Sequence, residues 1–199
     1  MPDVAPKWLA THIKPQEQEF VCAEVVPPHL FCFREAYAGH AQLTRSVMRE
    51  GLPAARPLEA FPSADNTAEN KAGCFSGKRY ISVNDFDCED TVWALEIDIK
   101  RGLVRWVHFG IPCTGWSSMN TFNGGTRSVE RPDGGDEPLE REVRANRQAT
   151  IVCRLCLLLH DHRSLFTIEN PVPSHLWESV HVVALRRRLQ DMYFVVTFD

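Results

Sequence analysis

Residues 103–117 decide the fold, and they read Leu103-Val104-Arg105-Trp106-Val107-His108-Phe109-Gly110-Ile111-Pro112-Cys113-Thr114-Gly115-Trp116-Ser117. The first seven residues form an apolar run of strand length, and the glycine and proline that follow are typical of the turn after a strand. A second run, Leu165-Phe166-Thr167-Ile168, ends in Glu169-Asn170-Pro171. Polar residues that follow two strands predict one site at the carboxyl edge of a parallel sheet.

The residue types in these two turns indicate covalent chemistry. Cysteine is intrinsically nucleophilic, and a nearby carboxyl group can donate or accept protons. We therefore predict that Cys113 is a nucleophile and that Glu169 is its acid partner. The alternative for Cys113 is a small residue that fills a gap at a strand end. The second turn makes this alternative the weaker one.

Outward from this stretch, strands and helices alternate along the chain. Strands are predicted at 29–37, 54–59, 80–83 and 193–198, in addition to the two runs above. Helices are predicted at 41–50, 89–101, 140–160 and 174–189, with Gly51 as the stop of the first and Ser174 as the cap of the last. Irregular loops are expected at 61–78 and 120–138. The alternation predicts an α/β fold, a Rossmann-like doubly wound, mostly parallel sheet flanked by helices.

Bulk properties limit the class of protein. A chain of 199 residues is about one domain, and 44% hydrophobic with 24% charged residues is typical of a soluble globular protein. We divide it into an N-terminal arm, residues 1–28, and a core, residues 29–199. No apolar run approaches the roughly 20 residues that a membrane span needs, so no membrane partner is expected. Seven cysteines without a framework spacing favour reduced thiols and an intracellular location, nuclear or cytoplasmic.

The charge balance argues against a stand-alone duplex binder. Net charge is −4, whereas such proteins usually carry a basic surplus. One stretch does hold five arginines, at Arg127, Arg131, Arg141, Arg144 and Arg147, but acidic residues lie between them. We interpret the stretch as a solvated charged loop and helix start rather than as a phosphate-binding patch. The arginines at 186–188 are interpreted in the same way, as a solvated cluster near a helix end.

Three motifs together resemble the DNA cytosine-5 methyltransferases. Gly-x-Pro-Cys-x-x-Trp-Ser at 110–117 is similar to that family's nucleophile loop, and Glu169-Asn170-Pro171 is similar to its later Glu-Asn-Val turn. Upstream, Phe33-Arg34-Glu35-Ala36-Tyr37-Ala38-Gly39 resembles the first motif, where S-adenosyl-L-methionine binds. The order of the three is the family's order, and the matches span about residues 31–171.

The resemblance implies a class I methyltransferase core with S-adenosyl-L-methionine as cofactor. It implies that the Cys113 thiolate adds to carbon 6 of cytosine while Glu169 contacts ring nitrogen 3, so that carbon 5 can take the methyl group. It places the cofactor against one set of residues and the substrate base against another. The cofactor residues are Tyr37, Gly39, Glu59, Asp85 and Pro112; the substrate residues are Ser117 and Asn170. Asp87 is an alternative to Asp85.

Departures from the family pattern leave two further functions open. Ala41 replaces a glycine, Thr114 a glutamine and Pro171 a valine, and no Gln-x-Arg-x-Arg strand or target-recognition region is found. We therefore expect a core that is incomplete at its C-terminus and that needs a further domain or partner chain to act on nucleic acid, with DNA preferred to RNA. The alternatives are a catalytically degenerate module that binds cofactor or protein, and a methyltransferase with another substrate.

Other site chemistries are weaker. Cys153, Cys156 and His160 have the spacing of one helix face, but their segment is so apolar that core packing is favoured over metal binding. A phosphatase of the cysteine type would need an arginine where Met119 stands. A cysteine hydrolase would need a paired histidine, and His108 is a poor candidate.

Overall fold

The computed structural model describes residues 32–39, 41–55, 57–58 and 88–193. Their apolar runs form three parallel strands in the spatial order β1-β2-β3: β1 (Phe33–Ala36), β2 (Trp106–Gly110) and β3 (Leu165–Glu169). The described helices are α1 (Gln42–Arg49), α2 (Glu89–Lys100), α3 (Ser118–Phe122), α4 (Glu140–Asp161) and α5 (Val180–Leu189). The predicted mixed α/β class with a parallel sheet is confirmed. The arm, the loop at 61–78, the strand predicted at 80–83 and all but the first residue of the strand predicted at 193–198 lie outside the described residues.

Alternation along β2 places its side chains on two faces of the sheet. Val107 and Phe109 are fully buried and belong to the main core with residues of α2, α4 and α5. Trp106 points the other way, because successive side chains of a strand alternate. It packs against a second cluster built from Phe33, Val47 of α1 and Ala54. Helices therefore cover the sheet unequally, with three on one face and α1 on the other.

The segment predicted as a strand at 54–59 forms two isolated parallel bridges with β1, Phe33↔Ala54 and Ala36↔Leu58. Its hydrogen bonds, such as Ala55 N–H to Phe33 O at 2.7 Å, lie on the edge of β1 opposite β2. The chain thus runs from β1 to one side and returns as β2 on the other. Parallel sheets bind ligands at such a reversal of strand order, beyond the carboxyl ends of the strands.

Buried charges attach β1 to the helices beside it. Glu35 is buried, and its Oε2 accepts a hydrogen bond from the backbone N–H of Thr44 at 2.8 Å, which satisfies a free donor in the first turn of α1. Arg34 forms an ion pair with Asp98 of α2 at 3.0 Å. Helix α1 ends where the sequence predicts, since Gly51 has φ +75° just beyond it.

Three boundaries differ from the prediction. The run 174–189 is a 3₁₀ turn, His175–Glu178, followed by α5, because the Ser179 side chain accepts from the N–H of Val182 and starts a new helix. Ser174 caps only the 3₁₀ turn. Helix α3 overlaps the start of the loop expected at 120–138. Strand β2 begins three residues after the start of the apolar run at Leu103.

The core packing predicted for the apolar segment of the longest helix is confirmed. Cys153 and Cys156 of α4 are both buried in the main core. Burial raises the pKa of the Cys153 thiol to about 12, so the thiol is protonated at neutral pH. Among the described residues no cluster of three or more histidine, cysteine or acidic side chains could hold a metal ion. None of the described helices is both long and apolar enough to cross a membrane.

Candidate active site

The two predicted turns leave adjacent strands at the same edge of the sheet. Gly110 is the register partner of Glu169, so the last residues of β2 and β3 lie side by side. The side chain of Asn170 crosses between them and donates a hydrogen bond to Ile111 O at 2.7 Å. A second link joins His175 N–H to Trp116 O at 2.9 Å. The structure thus brings the segments of Cys113 and Glu169 together, and both side chains are exposed.

Cys113 opens a 3₁₀ turn, Cys113–Gly115, directly after Pro112. Its carbonyl oxygen accepts hydrogen bonds from the N–H groups of Trp116 and Ser117, both at 2.9 Å. Gly115 lies against α4, and a Cβ there would come within 2.7 Å of Ala145 Cβ. Because only glycine permits this approach, the turn is held against the helix with the cysteine on its outer side.

A buried arginine supports the turn from behind. Trp116 is fully buried, and the Arg127 guanidinium lies 3.7 Å from the centre of its ring, in a cation–π contact. Arg127 is itself only 1% exposed. It donates hydrogen bonds to Pro132 O, to Glu142 O at 3.1 Å and to Asn146 Oδ1 at 2.9 Å. One side chain therefore ties together the turn, the following loop and α4.

A buried glutamate organises the same loop. Glu142, in the first turn of α4, is fully buried and accepts hydrogen bonds at 2.7–2.9 Å from Asn120, Thr126 and Leu139. Burial by itself raises the pKa of Glu142, but these hydrogen bonds outweigh it and lower the pKa to about 2. The carboxylate is therefore ionised at neutral pH.

The expectation of a wholly solvated charged stretch is wrong for these two residues. Arg127 and Glu142 lie in the interior, where their opposite charges and hydrogen bonds compensate for lost water. Burial lowers the pKa of Arg127, while the carboxylates of Glu142 and Asp133 oppose that shift. The expectation holds for Arg131 and Asp136, an exposed ion pair at 3.3 Å.

The loop after β1 borders the Cys113 turn. Tyr37, Gly39 and Ala41 all have positive φ, between 51° and 58°, so the backbone turns back sharply at the strand end. In the part of the chain that the structure describes, no atom beyond Gly39 and its two neighbours lies within 4 Å of the position that a Cβ would take at Gly39. A Cβ at Gly110 would meet Tyr37 O at 3.4 Å, so the ends of β1 and β2 are close neighbours. The space over Gly39 fits the close approach of a bound group to the backbone.

Of the remaining predicted site residues, some are described by the structure and some are not. Ser117 is half-buried and is the N-cap residue of α3. Asn170 is 9% exposed, and its Oδ1 has no hydrogen-bond partner among the described residues. A buried acceptor of this kind is available to a ligand or a water molecule. Glu59 and Asp85, with its alternative Asp87, lie outside the described residues.

His108 does not pair with the cysteine. Its Nδ1 lies 2.9 Å from Thr167 Oγ1 across the β2–β3 ladder, and burial lowers its pKa. This agrees with its rejection as the base of a cysteine hydrolase.

Sequence reasoning missed three buried residues behind the site, Asn120, Arg127 and Glu142, and the half-buried Asn146 that Arg127 contacts. A glutamate three residues into a predicted helix is a signal for a side chain that caps the helix, and Glu142 does accept from Leu139 N–H. Nothing in the local pattern distinguishes Arg127 from the other arginines of its stretch.

Comparison with known proteins adds no relative. No protein-family model, no curated protein and no solved structure matches the chain. The residues and geometry described above are therefore the only basis for assigning a function.

Proposed function

We propose that this protein is an S-adenosyl-L-methionine-dependent methyltransferase that transfers a methyl group to carbon 5 of cytosine through a covalent Cys113 adduct. The observation that carries the proposal is the register of β2 and β3. It aligns Gly110 with Glu169 and so sets the cysteine turn beside the Glu-Asn-Pro turn. The finer fold assignment, a Rossmann-like class I methyltransferase core, belongs to the same proposal.

The strand order supports a nucleotide-like ligand at this edge. The order reverses between β1 and β2, and the loops after these two strands carry the proposed cofactor and nucleophile residues. Gly39 leaves its side of the loop open, Tyr37 is half-buried beside it, and Pro112 follows β2. When bound, the cofactor supplies an electrophilic methyl group.

The reaction assigns a step to each site residue. The Cys113 thiolate forms an S–C bond to carbon 6 of cytosine while Glu169 donates a proton to ring nitrogen 3, and carbon 5 becomes nucleophilic. After carbon 5 gains the methyl group, a solvent water molecule takes the proton from carbon 5, and the electron pair left behind forms the carbon 5–carbon 6 double bond and expels the Cys113 thiolate. Ring nitrogen 3 then returns its proton to Glu169. Asn170 holds the Glu169 turn against Ile111 O, and Ser117 N–H bonds to Cys113 O, so both act by positioning.

The test uses an oligonucleotide that contains 5-fluorocytosine, together with the cofactor. Fluorine at carbon 5 cannot leave as a proton does, so the S–C bond persists and the adduct is detected by intact mass. We expect an adduct with the wild-type protein, none with Cys113→Ser, and an unchanged adduct with the control Cys88→Ser, whose thiol is half-buried on another element.

Calorimetric titration of the cofactor completes the test. Cys113→Ser should bind the cofactor as the wild type does, while Gly39→Val, which adds a branched side chain at φ +51°, should weaken binding. Full methyl transfer by Cys113→Ser would refute the assigned role. Cofactor binding without adduct or transfer by the wild type would identify a catalytically degenerate binding module instead.

A further inference from the structure

A row of polar side chains lies on the sheet face that carries Glu169. The strand register pairs Gly110 with Glu169 and, two residues earlier, His108 with Thr167. Side chains two residues apart on a strand share a face. Trp106 Nε1 donates to Thr167 Oγ1 at 3.2 Å, and the same oxygen lies 2.9 Å from His108 Nδ1. The row therefore runs from Trp106 to His108, toward the carboxyl end of β2.

These hydrogen bonds assign the hydrogen positions on the His108 ring. An indole N–H can only donate, so Thr167 Oγ1 accepts from Trp106. The Thr167 hydroxyl then donates its one hydrogen to His108 Nδ1, its other partner among the described residues. A neutral imidazole that accepts at Nδ1 carries its hydrogen at Nε2. Burial lowers the pKa of His108, which favours this neutral form at neutral pH.

The Nε2 donor of His108 lies at the crevice between β1 and β2. It is 3.9 Å from the position that a Cβ would take at Gly110, and the carbonyl oxygens of Tyr37 and Ala36 lie 3.4 and 4.0 Å from that position. Within the part of the chain that the structure describes, Nε2 has no hydrogen-bond partner and is accessible to solvent. The strand order reverses at this crevice, where parallel sheets bind ligands.

We propose that His108 binds the cofactor, with its Nε2–H donating a hydrogen bond to the carboxylate of the methionine part. This rests on the proposed function, which sets the cofactor at the ends of β1 and β2. The carboxylate is the anionic group of S-adenosyl-L-methionine, and a fixed N–H is its complement. The charged cofactor residues of the proposal, Glu59 and Asp85, are acids that suit donor groups of the ligand rather than its carboxylate.

Calorimetric titrations with two nucleosides test the contact. S-adenosylhomocysteine carries the carboxylate, whereas methylthioadenosine is the same thionucleoside without the amino-acid part. His108→Asn keeps an amide near the Nδ1 position but loses the donor at Nε2, and His108→Gln returns a donor there. We expect Kd for S-adenosylhomocysteine to rise about tenfold in His108→Asn and to stay within about threefold of wild type in His108→Gln. Methylthioadenosine should bind all three proteins alike.

A control variant and an NMR measurement complete the test. His162→Asn is the matched control, because His162 is also half-buried but follows α4 just before β3 begins, at the opposite edge of the sheet. Melting temperatures equal to that of wild type would show that the variants fold. In the unliganded protein, NMR of isotope-labelled imidazole groups should show His108 as the Nε2–H tautomer, and its signal should be missing from His108→Gln.

The outcomes separate this inference from the proposed function. An Nδ1–H tautomer, an unchanged Kd for S-adenosylhomocysteine in His108→Asn, an equal loss in His108→Gln, or an equal loss with methylthioadenosine would overturn the inference. A fluorocytosine adduct would still support catalysis in each of these cases. Binding that depends on His108 without any adduct would support the inference and refute the enzymatic proposal. No binding of either nucleoside by the wild type would overturn both the inference and the cofactor assignment.

Discussion

The charged segment from residue 127 to residue 147 contains two arginine–acid groups with different surroundings. Arg127 and Glu142 are buried: Glu142 accepts a hydrogen bond from Asn120 of α3, and Arg127 lies against the ring of Trp116 beside the Cys113 turn. Arg131 and Asp136 lie within the same segment, with 58% and 93% of their side chains exposed. An arginine and a carboxylate therefore stabilise the interior in one place and form a solvated surface pair in the other. Burial, and the number of hydrogen bonds each charge makes, separates the two groups.

The largest expected effect comes from removing the buried carboxylate. Glu142→Ala leaves donors of Asn120, Thr126 and Leu139 without an acceptor and removes one of the two carboxylates that act on Arg127. We expect the free energy of unfolding to fall by about 4 kcal/mol, measured by urea denaturation. Glu140→Ala is the control, because Glu140 is exposed and lies in the same first turn of α4. Equal free energies of unfolding for Glu142→Ala and wild type would mean that the buried carboxylate does not stabilise the fold.

Truncating the arginine should have the next largest effect. Arg127→Met keeps much of the volume but loses the hydrogen bonds to Glu142 O and Asn146 and the charge over the Trp116 ring. We expect a loss of about 2–3 kcal/mol by the same denaturation. Arg127→Lys should recover only part of it, because an ammonium group cannot form the planar fork. Full recovery by lysine would show that charge alone matters.

Strong acid should remove the stabilising contribution of Glu142. The pKa of Glu142 is lowered from 4.5 to about 2 in the folded protein, so its stabilising contribution is complete above about 4.5. That contribution is lost as pH falls through the folded value near 2. Thermal melting between pH 5 and pH 2 should therefore show a decline that is shallower in Glu142→Gln. Parallel curves for the two proteins would assign the acid sensitivity to other carboxylates.

The smallest effect is expected at the surface pair. Asp136→Ala removes an ion pair between two exposed side chains, and such pairs contribute little because water screens them. The free energy of unfolding should change by less than about 0.5 kcal/mol. A loss as large as that of Arg127→Met would remove the distinction between the two groups.

Much of the fold could be predicted from local pattern. The helices at 89–101 and 140–160 and the strands around Val107 and Phe166 follow from apolar periodicity over many residues. The break at Ser179 could not be predicted as easily, because serine is also tolerated inside a helix. The short helix α3 depends on Asn120, which is held by a residue 22 positions away.

The sequence by itself determined which chemistry stands at the strand ends: a cysteine after one apolar run, a glutamate after another, and the alternation of elements that makes the strands parallel. Only the tertiary structure decided that β2 and β3 are neighbours in register, and that Arg127 and Glu142 turn inward while Arg131 and Asp136 turn outward. The physical reason is that burial depends on which distant segments meet. The partners of Arg127 on α4 lie 15 and 19 residues away, and no local pattern specifies that contact.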